Sequence, residues 1–277
     1  MLPHLPMPSM LLDTDHQHQE RIRTFRDRRL SISQQQEDER RPRRLSIYDC
    51  PSGDDAPNLR CSIRRGAFAT LSGLQPVPGG TVAKVNQDRG VIMYPWCRLT
   101  SMALFGVYDG HGRLGHEVAE FVAQTLPLML QQVQAAGEQE LGNVLEEGYT
   151  LVDSALRNSV DATVSGTTAV TCFLKENDLR IANVGDSRAI VCRKQESPSG
   201  FTLRAIDLTI DHKPNSRKEM ERIISMGGYV SPPGANGGPA RVWHNNRGLA
   251  MSRSIGDHEA ATVGVIAMPE ITEYACQ

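Results

Sequence analysis

The chain has 277 residues, 39% of them apolar, with 30 Lys and Arg against 32 Asp and Glu for a formal net charge of −2. That length can bury a sizeable core in one large domain with a tail or in two modest domains, and the near-neutral balance gives no pull toward nucleic acid or an anionic membrane. No window approaches the ~18 apolar residues of a membrane span, and six scattered cysteines without a C-x-x-C pair read as free thiols, so a cytoplasmic or nuclear monomer is expected.

Residues 1–80 are rich in Arg, Gln, Asp, Ser and Pro, with few aromatics and no lasting period of 2 or 3.6. Such a segment buries too little apolar surface to offset its ordering entropy, and it is expected to be a disordered tail. One pattern occurs twice in it: R-D-R-R-L-S-I at Arg26–Ile32 and R-P-R-R-L-S-I at Arg41–Ile47. Arginines two and three residues before a serine suit the acidic groove of a basophilic kinase, and the pattern resembles the cyclic-nucleotide-dependent kinase consensus. Ser31 and Ser46 are the phosphorylation candidates. Pro76, Pro78, Gly79 and Gly80 read as a linker, which places the folded part at residues 81–277.

Within the folded part, Thr81–Val85 is a short strand running into Asn86-Gln87-Asp88. Met102–Tyr108 is a second, ending at Asp109. Val118, Phe121, Val122, Leu126, Met129, Leu130 and Val133 then recur at helical spacing, with Pro127 expected to kink or divide the helix. A second helix follows Gly137 to about Val160, with Leu141, Val144, Leu145, Tyr149, Val152 and Leu156 on one face. Strands are expected over Val170–Leu174, Leu179–Val184, Arg188–Arg193 and Phe201–Leu208. A helix over Asn215–Met226 should end at Gly227, and residues 228–240 form a loop or flap. Strands and helices in separate blocks favour an α+β fold.

Three aspartates sit at turns, Asp88, Asp109 and Asp186, beside glycines and without a cysteine cluster. Carboxylates of that kind suit hard divalent ions such as Mg²⁺ or Mn²⁺. A metal pair can activate water for attack on a phosphoryl group, and a nearby acid such as His111 would help expel a serine or threonine oxygen. His116, His212, His244 and His258 read instead as turn, cap or surface residues.

The segments F-G-V-Y-D-G-H-G (Phe105–Gly112), S-G-T-T-A (Ser165–Ala169), A-N-V-G-D-S-R-A (Ala182–Ala189), L-T-I-D-H-K-P (Leu208–Pro214) and G-L-A-M-S-R-S-I-G-D (Gly248–Asp257) follow in this order. Together they resemble the metal-dependent protein serine/threonine phosphatases of type 2C, over residues 81–272. The resemblance implies two antiparallel β-sheets in a sandwich flanked by helix pairs, with two Mg²⁺ or Mn²⁺ ions and a third, weaker one at Asp186. It implies that Asp109 bridges the two ions, the Gly110 carbonyl ligates one, Asp88 acts directly or through water, and His111 is the general acid. Phosphoprotein substrates are the implied partners. Lys84 and Arg241 are the candidates for contact with substrate phosphate, and Arg253 serves either phosphate or structure.

The family pattern continues beyond S-I-G-D into two further segments that each carry a ligating aspartate, whereas this chain ends at Gln277. The expectation is a domain lacking its C-terminal strands, with weak metal affinity and little turnover. Three readings stay open: a fragment of an active phosphatase, a short form acting as a non-catalytic binding module, and a site completed by a partner chain.

Overall fold

The computed structural model describes residues 43–49, 65–96, 99, 101–136, 140–198, 200–235 and 237–276. The centre is a seven-stranded antiparallel sheet built on β6 (Met102–His111), with β5 (Asp88–Met93) on one side and β8 (Ala169–Lys175), β9 (Asp178–Val184) and β16 (Glu270–Ala275) in turn on the other. At the far end of β6 its last residues pair with β7 (Gly166–Thr167), which pairs with β15 (Ile255–Gly256).

Side chains alternate across this sheet as the period of a strand requires. Leu104, Tyr108, Ala169 and Phe173 face a layer of two helices, α1 (Gly115–Ala136) and α2 (Leu141–Leu156), where Val118, Val122, Leu126, Leu130, Val144, Leu145, Val152 and Leu156 complete the main core. Each fully buried Val, Leu or Phe among these contributes about 1.5–3 kcal/mol. Gly148 lets the helices approach: a Cβ there would strike Leu130. Tyr149 reaches from α2 into the sheet, its hydroxyl donating to Thr171 Oγ1 at 2.8 Å and lying 3.1 Å from Ala182 O. Pro127 does not divide α1, which runs through it. The seven apolar residues of α1 buried in the core outweigh the ~3 kcal/mol that an interior proline costs.

The opposite face carries Val170, Cys172, Ile181 and Leu179, covered at one end by β10 (Ile190–Ser197) and β11 (Gly200–Asp207) through Val191, Ile206 and Leu208. At the other end β2 (Arg65–Thr70), paired with β1 (Arg43–Asp49), lies over β5: a Cβ on Gly90 would strike the Phe68 ring, and Gly66 rests on Ile92 and Phe105. Between the two covers Val107 stays 47% exposed. The expected α+β sandwich is present, its second layer divided among the described residues into two separate pairs of strands.

Ordered pairing begins earlier than Thr81. Besides β1 and β2, the segment read as a linker is a hairpin of β3 (Leu74–Val77) and β4 (Gly80–Ala83), with Pro78 and Gly79 as its turn and Gly79 at φ +89°. The rest of the expected tail, Ser31 included, lies outside the described residues. Farther on, α3 (Arg217–Ser225) ends at Gly227, φ +83°, as expected. Within the expected flap, residues 228–240, lies β12 (Tyr229–Ser231), which joins the two strands that follow the flap, β13 (Arg241–His244) and β14 (Arg247–Leu249), in a three-stranded sheet. A four-residue helix α4 (His258–Ala261) follows β15. No helix among the described residues is long and apolar enough to cross a membrane.

Candidate active site

β5 and β6 run antiparallel with Asp88 directly opposite Asp109. Asp88 opens its strand on an Asx turn, its N–H donating to Asn86 Oδ1 at 3.0 Å, and Asn86 is held in turn by Thr70 Oγ1 at 2.8 Å. Arg89 clamps the same turn: Nη1 donates to the carbonyls of Asn86 and Asp88 at 3.0 and 2.9 Å, and Nε to Glu120 on α1 at 2.6 Å. Gln87 ties the turn to the next one, its Nε2 donating to Gly112 O at 2.9 Å, while Gly110 N–H donates to Gln87 O at 3.2 Å. Only glycine fits at 110, because a Cβ would strike the backbone of Gly115 and Gln87.

Asp109 is positioned from the other side. Thr168 accepts its N–H at Oγ1 (3.0 Å) and donates its own N–H to Asp109 O (2.9 Å), and Thr168 Oγ1 also meets Ser187 Oγ at 2.6 Å, next to Asp186. Burial raises the Asp109 carboxyl above its ordinary pKa, and the facing Asp88 adds to the rise, with Asp186 contributing and His111 opposing. Two carboxylates held face to face repel one another, and a cation between them relieves that repulsion.

The turn after Asp109 delivers His111 onto Asp257, with Nε2 2.5 Å from Asp257 Oδ2, across 146 residues of sequence. Asp257 is buried, takes φ +47°, and also accepts from Ser254 Oγ at 2.6 Å. Gly166 makes the room: a Cβ there would strike both Asp257 Oδ2 and His111 Nε2. Burial works against the imidazolium, but the Asp257 contact and the charges of Asp257, Asp109 and Asp186 prevail, so the His111 pKa lies above its ordinary value. The other ring nitrogen, Nδ1, is buried with no hydrogen-bond partner among the described residues.

Asp186 lies in the turn after β9, where Gly185 takes φ +101° and donates its N–H to His212 Nδ1 at 3.1 Å. Lys213 Nζ donates to Asp186 Oδ2 at 2.5 Å. Lys84 is exposed beside the β3–β4 hairpin, its N–H donating to Gly73 O. Arg241 Nη1 reaches across the β13–β14 hairpin to Gly248 O at 2.8 Å. Among the described residues neither cation bonds to Asp88 or Asp109. Arg253 has a structural role: it grips Glu219 through Nε and Nη2 and Met268 O through Nη1.

The carboxylates and the Gly110 carbonyl are donors of the kind a hard divalent ion takes. In number they fall short of a closed cage: among the described residues no three or more His, Cys, Asp or Glu side chains are grouped as metal ligands.

A sequence profile described as protein phosphatase 2C matches residues 87–277. The chain belongs to this family. It is 35% identical over 212 residues to the rice protein "Probable protein phosphatase 2C 48", covering 68% of this chain and 60% of that one. It is 33% identical over 189 residues to bovine protein phosphatase 1L, covering 65% and 48%. The chain thus spans about 60% or less of the length of these curated relatives. Among solved structures, a serine-threonine phosphatase 2C of Toxoplasma gondii superposes with TM-score 0.59 at 22% identity over 70% of both chains. A sex-determining protein of C. elegans follows at TM-score 0.56 and 24% identity, over 70% of this chain and 46% of that one. These two likenesses concern the fold.

Within the type 2C fold, sequence reasoning gave no role to Asp257 or Lys213. Both stand inside segments that carried the resemblance, S-I-G-D and D-H-K-P, but Asp257 meets His111 only once β7 and β15 bring distant turns together, and Lys213 meets Asp186 where His212 pairs with Gly185. S-G-T-T-A supplies further contacts of the site. Its Ser165 accepts the Leu114 N–H at 3.1 Å, Gly166 clears the His111–Asp257 contact, and Thr168 holds Asp109.

Proposed function

We propose that this chain hydrolyses phosphoserine and phosphothreonine in proteins, using Mg²⁺ or Mn²⁺ held by Asp88, Asp109 and the Gly110 carbonyl, with His111 as general acid. The observation that carries this reading is the facing of Asp88 and Asp109 beside a histidine poised toward its protonated form by Asp257. A bound divalent ion supplies the Lewis acidity that makes water a nucleophile at neutral pH. The protein's own groups do the rest. Asp109, locked at its backbone by Thr168, would hold the metal together with Asp88 and the Gly110 carbonyl, and the imidazolium of His111 delivers a proton to the departing serine or threonine oxygen. Asp186, which Lys213 already pairs, would hold a third ion more weakly. Lys84 and Arg241 are the cations proposed to meet substrate phosphate.

Two facing carboxylates compensate a divalent charge less fully than a larger donor set, so metal affinity is expected to be weak and turnover slow. The test is release of phosphate from a phosphoserine peptide while Mn²⁺ is raised into the millimolar range. Metal-dependent release that falls about 100-fold or more in Asp109→Ala supports the reading. Metal-independent release, or none with the unsubstituted chain, overturns it. The small donor count favours a second reading, a type 2C module that binds phosphoproteins without turnover, and phosphopeptide binding without release in the same titration would establish that one.

A further inference from the structure

The two R-R-L-S-I segments play no part in the reaction above, yet the second is built into the fold. Residues Arg43–Asp49 form β1, whose only ladder among the described residues is with β2. The register runs Arg43↔Thr70, Arg44↔Ala69 and Leu45↔Phe68, is interrupted, and resumes at Tyr48↔Gly66 and Asp49↔Arg65. Ser46 and Ile47 therefore stand at the irregularity, outside the paired positions, while the two arginines before Ser46 are paired. β2 is anchored beneath, Phe68 lying over Gly90 of the strand that opens at Asp88.

We propose that Ser46 is a phosphorylation site for a basophilic serine kinase, and that the β1–β2 ladder controls access to it. In the step, the Ser46 hydroxyl oxygen forms a bond to the γ-phosphorus of ATP and the bond from that phosphorus to the β,γ-bridging oxygen breaks. ADP leaves and the hydroxyl proton passes to the kinase base. The kinase must read the arginines two and three residues before the serine, and these are the residues the ladder engages through Thr70 and Ala69. Strand pairing and kinase recognition thus compete for one segment. Ser31, outside the described residues, carries the same R-R-L-S-I sequence in the same molecule and serves as an internal reference for kinase recognition.

The test uses the full chain with Asp109→Ala, so that the chain cannot remove the phosphate, incubated with the catalytic subunit of a cyclic-nucleotide-dependent kinase and ATP. Mass spectrometry follows phosphate on Ser46 and Ser31 over time. The comparison variants are Ala69→Pro and Thr70→Pro; alternate residues of an antiparallel strand donate across the ladder, so one of two neighbouring prolines deletes a cross-strand bond. The expected result is phosphate on Ser46, with the Ser46-to-Ser31 rate ratio rising several-fold in at least one proline variant. Absence of phosphate on Ser46, or a ratio unchanged in both variants, overturns the proposal.

Discussion

His111 sits between two kinds of carboxylate: Asp257, which touches its ring, and Asp109, two residues back on the same strand. The first orients the ring and favours its protonated form, and the second belongs to the proposed metal site, so the proposed acid and the proposed metal ligand stand on one short strand end. Asp257→Asn keeps the shape of the contact and removes its charge. It is expected to lower kcat by about 10–100-fold, a large part of what a general acid contributes, with little change in KM. Gly166→Ala tests the same contact from below, because the new methyl group strikes both partners. It should mimic the Asp257→Asn loss in kcat, and equal kinetics for Gly166→Ala and the unsubstituted chain would show that the spacing does not matter. Both are measured by steady-state kinetics on a phosphoserine peptide at saturating Mn²⁺.

At the scale of elements, the helix layer is tied to the sheet by more than apolar contact. The Tyr149 hydroxyl is fully buried and supplies the hydrogen bond between α2 and Thr171 of β8. Tyr149→Phe leaves the packing in place and the acceptors without their donor, so it is expected to destabilise by about 1–3 kcal/mol, read as a lower urea midpoint with an unchanged slope. The two helices were readable from sequence because each carries a long 3.6-residue apolar period, although Pro127 was weighted too heavily against the burial on either side of it. β5 was missed: D-R-G-V-I-M has no clean alternation, and the strand exists because its neighbour β6 pairs it along its whole length. The Pro-Gly-rich segment at residues 76–80 was read as a linker but is the turn of the β3–β4 hairpin, because whether such a segment joins strands or ends a tail depends on what flanks it. At the site, Asp109 and His111 were readable at the end of a strand and Gly110 only through the resemblance; Asp88 was placed after a Thr81–Val85 strand but opens β5, and Asp257 meets His111 through the β15–β7–β6 adjacency, which no local pattern encodes.

Across the whole molecule, two buried groups couple the flap side to the central sheet and make stability depend on acid in two separate windows. Burial alone would raise the Glu219 carboxyl, but hydrogen bonds from Arg222, Arg253 and Ser252 hold it well below the usual carboxylate range. A depressed acid contributes stability above its unfolded pKa and loses it as pH falls toward the folded one, which places this window below about pH 4.5. His212 is buried, and burial first, with the charge of Arg253 second, lowers its pKa below 6.5 against the opposing pull of Glu219 and Glu270. Its neutral ring is the form the structure uses, Nδ1 accepting the Gly185 N–H and Nε2 facing Glu270 Oε2 at 3.3 Å. The unfolded chain takes up that proton more readily than the folded one, so stability from His212 is complete above about pH 6.5 and is lost as pH falls below it. His212→Asn retains an acceptor for Gly185 and has no proton to gain. In thermal melts from pH 8 to pH 4 the unsubstituted chain is expected to lose Tm relative to His212→Asn from about pH 6.5 downward, His111 with its raised pKa adding stability toward acid in both. Glu219→Gln should do the reverse, melting lower at every pH because Arg222 and Arg253 lose their counter-charge, by about 3–5 kcal/mol for a buried pair broken on one side, while keeping the loss from His212 that starts near pH 6.5. Identical pH profiles for His212→Asn and the unsubstituted chain would remove the imidazole from this account and leave the carboxylate alone to explain the acid sensitivity.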